Sequence, residues 1–293
     1  MLARSFDESN TPFLPAPAAS TAAAVDAEVF PHHPDRIPPG VVQAGSYDLR
    51  YAWTRADLHA VQRLRYRVFT EELGNGTSAS VDEPGERRDE DARDPWFHHL
   101  MIVHRESGAV VGTYRLQTAV MAATRFGFYS ATLFELGAMP ASVLQQAVEI
   151  GRAAVDPQHR SGRVLHLLWR GLARYLSWNS KRFLFGCCSI QGVDDRVAQD
   201  TWRVLHARQV LHDRILVRPR PAVRALADDG RTRPLIDATA LTASLPSLFD
   251  GYLSLGARVC GAPAFDREFG TTDFLVLLDI DEMPARAAKT LFG

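Results

Sequence analysis

The stretch Ala147-Val148-Glu149-Ile150-Gly151-Arg152-Ala153-Ala154-Val155 decides the fold. Its β-branched ends and small residues read as a buried strand, yet it carries a carboxylate and a guanidinium three positions apart. Asp156-Pro157 ends the strand, and the run from Arg160 onward becomes a helix after a tight basic turn. Buried charge is costly unless it is paired or used. Glu149 and Arg152 are therefore either a structural ion pair, or charges solvated at a strand edge, or a general base and an anion binder. In a regular strand residues 149 and 152 face opposite sides of the sheet. They share a site only if the strand is bulged, and Gly151 is a natural place for that.

Working outward, Phe97–His104 and Ala109–Thr118 read as a hairpin around Glu106-Ser107-Gly108, with Arg115 deep in its second strand. A mid-strand Arg is an edge residue or a carboxylate ligand. His98 and His99 read as packing or hydrogen-bonding residues, and no third metal ligand stands at useful spacing, so no metal is expected. Tyr47–Trp53 alternates as a first strand. Thr54 or Asp57 caps a helix to about Glu72, with Leu58, Val61, Leu64, Val68 and Phe69 as its apolar stripe and Arg63, Arg65 and Arg67 between them. Gly74–Asp94 lacks a core pattern, and from Asp82 to Asp94 it holds seven acidic and three basic residues. That is a solvated loop, or a lid whose carboxylates meet a cationic group.

After the central strand, a helix over 162–178 buries Leu165, Leu168, Trp169, Leu172 and Leu176. Arg163, Arg170, Arg174 and Lys181 form its opposite stripe. Residues 152–182 carry seven basic residues against one acidic, an excess suited to an acidic partner. Phe183–Ile190 is a further buried strand whose Cys187 and Cys188 read as core filler. A helix over 195–209, a Pro- and Arg-rich excursion over 218–243, a helix over 245–255, a last strand over 273–280 and a short final helix complete the pattern. Residues 1–45, rich in Pro, Ala and Ser, are expected to form a disordered tail.

The bulk numbers are those of a globular protein: 293 residues, 46% hydrophobic and 23% charged. A net charge of -1 argues against nucleic-acid binding. Three cysteines, two of them adjacent, give neither a disulfide framework nor zinc spacing, and fit a reducing cytoplasm. No signal peptide or transmembrane segment is expected, so any membrane contact is peripheral at the inner face.

The order strand, helix, hairpin, strand, helix, strand, helix, strand resembles that of GNAT N-acyltransferases. Individual motifs narrow the resemblance: Arg65-Tyr66-Arg67-Val68-Phe69, Asp91 and Asp94 with His99-Leu100, Gly112-Thr113-Tyr114-Arg115-Leu116, Gly127-Phe128-Tyr129-Ser130 and Glu149-Ile150-Gly151-Arg152. Leu168-Trp169, Phe185-Gly186-Cys187-Cys188-Ser189, Tyr252 to Ala257, Gly261 to Asp266 and Phe269-Gly270 continue it. Together they resemble the ornithine-lipid-type, so-called hemolysin-like, N-acyltransferases, relatives of acyl-homoserine lactone synthases and N-acyl amino acid synthases. The resemblance covers roughly residues 47–293.

It implies an α/β (α+β) fold: a GNAT-like central mixed sheet flanked by helices on both faces, filling residues 46–293 as one domain. It implies transfer of a (3-hydroxy)acyl chain from acyl carrier protein to the α-amine of ornithine, with no bound cofactor. The donor is acyl-phosphopantetheine on the carrier rather than acyl-CoA. It makes Glu149 and Arg152 catalytic, and Arg65, Phe69, Asp91, Asp94, Trp96 and Arg115 substrate-binding. Asp91 and Asp94 hold Arg65 or meet the ornithine side chain, and Phe69 and Trp96 wall the site. Val155, Arg160, Ser161, Gly162 and Arg163 fall to the donor. The GNAT phosphate loop, (Gln/Arg)-x-x-Gly-x-(Gly/Ala), keeps only its central glycine in His159-Arg160-Ser161-Gly162-Arg163-Val164. Ala154 replaces a family cysteine. Another acceptor, a lactone product, or a non-catalytic carrier-binding module are the alternatives.

Overall fold

The computed structural model describes residues 29–75, 79–81, 85, 87–226 and 245–292. Among them, nine strands form one sheet: β1 (Val42–Ala44), β2 (Tyr47–Tyr51), β5 (His98–His104), β6 (Val110–Thr118), β7 (Ala147–Val155), β8 (Phe183–Gln191), β11 (Thr271–Asp279) and β10 (Ala264–Asp266), in that order. The ninth, β9 (Arg258–Val259), also pairs with β11, and β3 (Ala79–Val81) with β4 (Arg87–Asp89) makes a separate hairpin. Every pairing is antiparallel except β7 with β8.

Helices cover both faces. Helix α1 (Arg55–Tyr66) starts at a capping box between Thr54 and Asp57, and its Val61 and Leu64 pack with Met101, Val110 and Ala154. The helix continues as a wider π turn over Arg67–Glu72. On the same face, beside α1, Phe134, Leu136 and Met139 pack over Ala147, Phe185, Leu275 and Leu277. Helices α2 (Ala119–Thr124) and α3 (Ala141–Gln145) are short. On the opposite face, α4 (Arg163–Trp178) buries Val164, Leu168, Leu172 and Leu176 against Tyr114, Leu116, Val148 and Ile150. Helices α5 (Asp195–Ala207) and α6 (Ser247–Ser254) extend that layer, and α7 (Ala285–Phe292) packs on α4. No helix among the described residues is long and apolar enough to cross a membrane.

Two irregularities of β7 make the site. The register with β6 advances from Thr113↔Ala154 to Arg115↔Gly151, one residue more on β7 than on β6. This is the bulge that the Glu149–Arg152 spacing required. The residue that turns left-handed is Arg152, at φ 50°, rather than Gly151. A non-glycine residue there costs about 1–3 kcal/mol of strain. The second irregularity is that β7 pairs with β8 only from Ala147↔Phe183 to Glu149↔Phe185, after which the strands part. Gly186 sits at the fork, where an added Cβ would stand 2.2 Å from the Ile150 carbonyl oxygen. Gly186→Ala is expected to lower stability by about 1–3 kcal/mol, read as a fall in Tm with Gly137→Ala as control, where an added Cβ meets nothing within 4 Å.

Two expectations change. Residues 29–45 are not a loose tail: Ile37 is in the core, His32 stacks on Trp96, and β1 extends the sheet. Apolar anchors were too sparse there to give a periodic signal. Residues 1–28, and 227–243 of the excursion, lie outside the described residues. The basic stripe of α4 is partly occupied. Arg174 donates to the Pro39 carbonyl, Lys181 to Gln145 at 2.6 Å, and the Arg163 guanidinium lies against Gly45. Within the wider basic excess, Arg160 pairs with Glu72 and Arg182 with Asp279.

Candidate active site

Three arginines and three aspartates close a ring of alternating charge beneath β6 and β7. Arg65, fully buried, reaches Asp94 at 2.7 Å and Asp89 at 2.7 Å. Arg115 reaches Asp94 at 3.1 Å and Asp91 at 2.6 Å. Arg152 completes the circuit to Asp91 at 3.4 Å and Asp89 at 3.5 Å. Gln62 adds a hydrogen bond to Asp94 at 2.9 Å. The segment read as a solvated loop or a lid thus ends in carboxylates that meet buried cations of the protein itself. The Arg65 and Arg115 guanidinium groups outweigh the cost of burial and hold the Asp94 carboxyl far below the usual carboxylate range. The His99 Nε2–H donates to the Asp94 backbone carbonyl at 2.9 Å, and burial lowers the His99 pKa to about 4, so it is neutral near pH 7.

Arg152 is the exception in this ring. Its ion pairs are the longest, and burial, followed by repulsion from Arg115 and Arg65, lowers its pKa. Its guanidinium lies 3.8 Å from the centre of the Phe269 ring. A cation under-supplied with counter-charge at a cavity wall is suited to bind an anion.

Glu149 and Arg152 line one cavity of about 300 Å³ that runs through the fork between β7 and β8. At its polar end stand Arg115, Tyr129, Ser130, Asp266 and Asp273. At its apolar end stand Leu184, Leu248, Phe249, Tyr252, Val276 and Leu278. Glu149 is 2% exposed, and burial raises its pKa. The backbone N–H groups of Tyr129 and Ser130 donate to its two oxygens at 2.8 and 2.6 Å and fix its orientation. Gln117, directly opposite on β6, donates to it at 3.2 Å once its amide is oriented to satisfy both ends. A held carboxylate with a raised pKa is chemically able to take a proton from an ammonium group. The Cys187 and Cys188 thiols are pushed up by burial and are poor nucleophiles.

An acetyltransferase (GNAT) domain matches residues 64–170. A protein of Brucella abortus (strain 2308) named L-ornithine N(alpha)-acyltransferase is 34% identical over 83% of this chain and 87% of its own length. The chain belongs to the L-ornithine N(alpha)-acyltransferase family. The protein of that name from Rhodobacter capsulatus is 33% identical over 81% of this chain and 92% of its own. Among solved structures, the AHL synthase LasI aligns over 84% of this chain and 95% of its own, at 15% identity and a TM-score of 0.45.

Within this acyltransferase-family chain the predicted site residues divide. Glu149, Arg152, Arg115 and Phe69 meet at the cavity. Arg65, Asp91 and Asp94 lie behind it in the charge ring. Trp96 does not line the cavity; it stacks on His32, and the Arg125 guanidinium lies 4.9 Å from its ring centre. Val155, Arg160, Ser161, Gly162 and Arg163 are likewise outside the cavity lining, at the turn before α4. There Gly162 is the N-cap at φ 82°, and no side chain caps the helix. N–H groups in the first turn of a helix are chemically able to meet a phosphate. Sequence reading missed Asp89, Asp266 and Asp273 as site residues. Asp89 was one of seven acids in an unpatterned run, and Asp273 opened a strand that looked purely structural.

Proposed function

We propose that this protein moves a (3-hydroxy)acyl chain from the phosphopantetheine thioester of acyl carrier protein to the α-amine of L-ornithine, giving lyso-ornithine lipid. The observation that carries the reading is the extended match to proteins named for that acceptor. The site supports the chemistry. The α-ammonium loses a proton to Glu149, and the freed amine attacks the thioester carbonyl. The C–S bond then breaks and the carrier thiol leaves with a proton. Arg152 takes the acceptor carboxylate. Arg115, already held by Asp91 and Asp94, fixes the ring behind it. Beyond Glu149, β7 parts from β8, which leaves room for the thioester and for backbone N–H groups to meet the oxyanion. The apolar end of the cavity suits the acyl chain.

The uncapped start of α4 fits the single phosphate of a carrier arm. The loss of all but Gly162 from the phosphate loop favours that donor over acyl-CoA. Arg163 at the start of α4 and Arg170 two turns further on suit an acidic carrier surface. The test is mass spectrometry of the purified protein with 3-hydroxyacyl carrier protein or acyl-CoA, each with a panel of amino acids. The expected product is N-acylornithine, formed from the carrier-bound donor. Product with CoA alone overturns the donor, and product with a different acceptor alone overturns the substrate.

A further inference from the structure

The cavity holds three carboxyl groups, and the charge ring accounts for none of them. Glu149 is the proton acceptor of the reading above, which leaves Asp266 and Asp273. Both are buried, Asp273 at 2% exposure. Asp273 is hydrogen-bonded by Thr271 Oγ1 at 2.9 Å. Asp266 accepts the Tyr129 phenol at 2.5 Å and the N–H groups of Glu268 and Phe269 at 3.1 Å each. Among the described residues, no ion pair within 4.0 Å reaches either carboxyl. Burial, with the neighbouring Asp266 adding to it, pushes Asp273 up to about 7. A buried carboxyl pair that Arg152 influences without forming an ion pair, facing a cavity that takes an amino acid, is suited to a second ammonium group.

We infer that Asp266 and Asp273 bind the side-chain ammonium of the acceptor and make the enzyme selective for a diamino acid. This rests on the proposed acyl transfer. Tyr129 supplies the measure of the site. Its backbone N–H is on Glu149 and its phenol is on Asp266, so the two carboxyls stand one tyrosine apart. An extended ornithine, with a hydrogen bond at each end, spans a comparable gap, α-amine toward Glu149 and side-chain ammonium toward Asp266 and Asp273. The three ring aspartates cannot do this without surrendering their arginines, and none of them lines the cavity.

The test compares L-ornithine with L-norvaline, which has the same carbon chain and no terminal amine. Wild type is expected to favour ornithine by about a hundredfold or more in kcat/KM, because norvaline leaves the buried carboxyls unmatched. Asp273→Asn and Asp266→Asn are expected to raise KM for ornithine at least about tenfold while kcat/KM for norvaline holds or rises. Turnover of norvaline by the variants shows that they are folded. If an Asn variant loses all turnover, binding of ornithine and norvaline to wild type is compared by calorimetry without donor; equal affinities overturn the inference. Wild type that acylates ornithine, with variants that keep its preference, also overturns this inference and leaves the acyl transfer standing. Wild type that uses no diamino acid overturns both.

Discussion

Replacing Glu149 with glutamine is expected to lower kcat/KM by about 10²–10⁴-fold while the protein stays folded. The size follows from the role: an α-ammonium is no nucleophile until a group in contact with it takes the proton. Glutamine fills the same space but cannot accept that proton, and its NH₂ group must face one of the two N–H donors from Tyr129 and Ser130. The mismatch adds a stability loss of about 1–3 kcal/mol, so Tm is measured alongside turnover. The pH profile separates the two effects. Burial raises the Glu149 pKa, so wild-type kcat/KM climbs with pH through a limb above the ordinary carboxylate range. The Glu149 limb is absent in Glu149→Gln, which keeps only the limb of Asp273 at about 7. A glutamine variant with the wild-type limb and turnover would make Glu149 only a clamp for the 129–130 turn.

The sequence singles out this carboxylate because the signal is local: a charge in an apolar strand with a breaker after it. It also required the bulge, since period two forbids Glu149 and Arg152 from sharing a face otherwise. It misplaced the left-handed residue. Glycine is the cheapest occupant of that conformation, but here Asp89, Asp91 and the Phe269 ring hold Arg152 in it. Those partners come from distant segments, and no local pattern announces them. The same holds for Trp96, whose stacking partner His32 lies in a stretch that reads as tail. Element order and the core faces were legible because helical and strand periods are local. Which acid pairs with which arginine was not, because pairing across dozens of residues depends on tertiary approach. Hence Asp91 and Asp94 were expected near cations while Asp89, indistinguishable from its neighbours, was passed over.

Replacing Arg65 with methionine is expected to cost about 3–5 kcal/mol, a fall in Tm of roughly 10 °C. Arg65 has no contact with solvent and gives Asp89 and Asp94 four hydrogen bonds of 2.7–2.9 Å. Without it, two buried carboxylates keep their desolvation cost and lose their main counter-charge. Lysine restores the charge but not the fork, and is expected to recover only part of the loss. The sign of the pH dependence distinguishes this from a packing defect. In wild type, Asp94 and Asp91 are held low, so their contribution is present above the ordinary carboxylate pKa of about 3.9 and is lost only as pH falls through the still lower folded values. In the variant, burial acts on Asp94 with less opposition and raises its carboxyl, while Asp91 keeps Arg115 and Arg152. A raised carboxyl favours the folded state below its unfolded pKa, and that advantage is lost as pH rises through the folded one. The Tm gap between variant and wild type should therefore narrow on going from about pH 8 to about pH 5. A gap that stays constant over that range would mean that Arg65 acts through its volume and not through its charge.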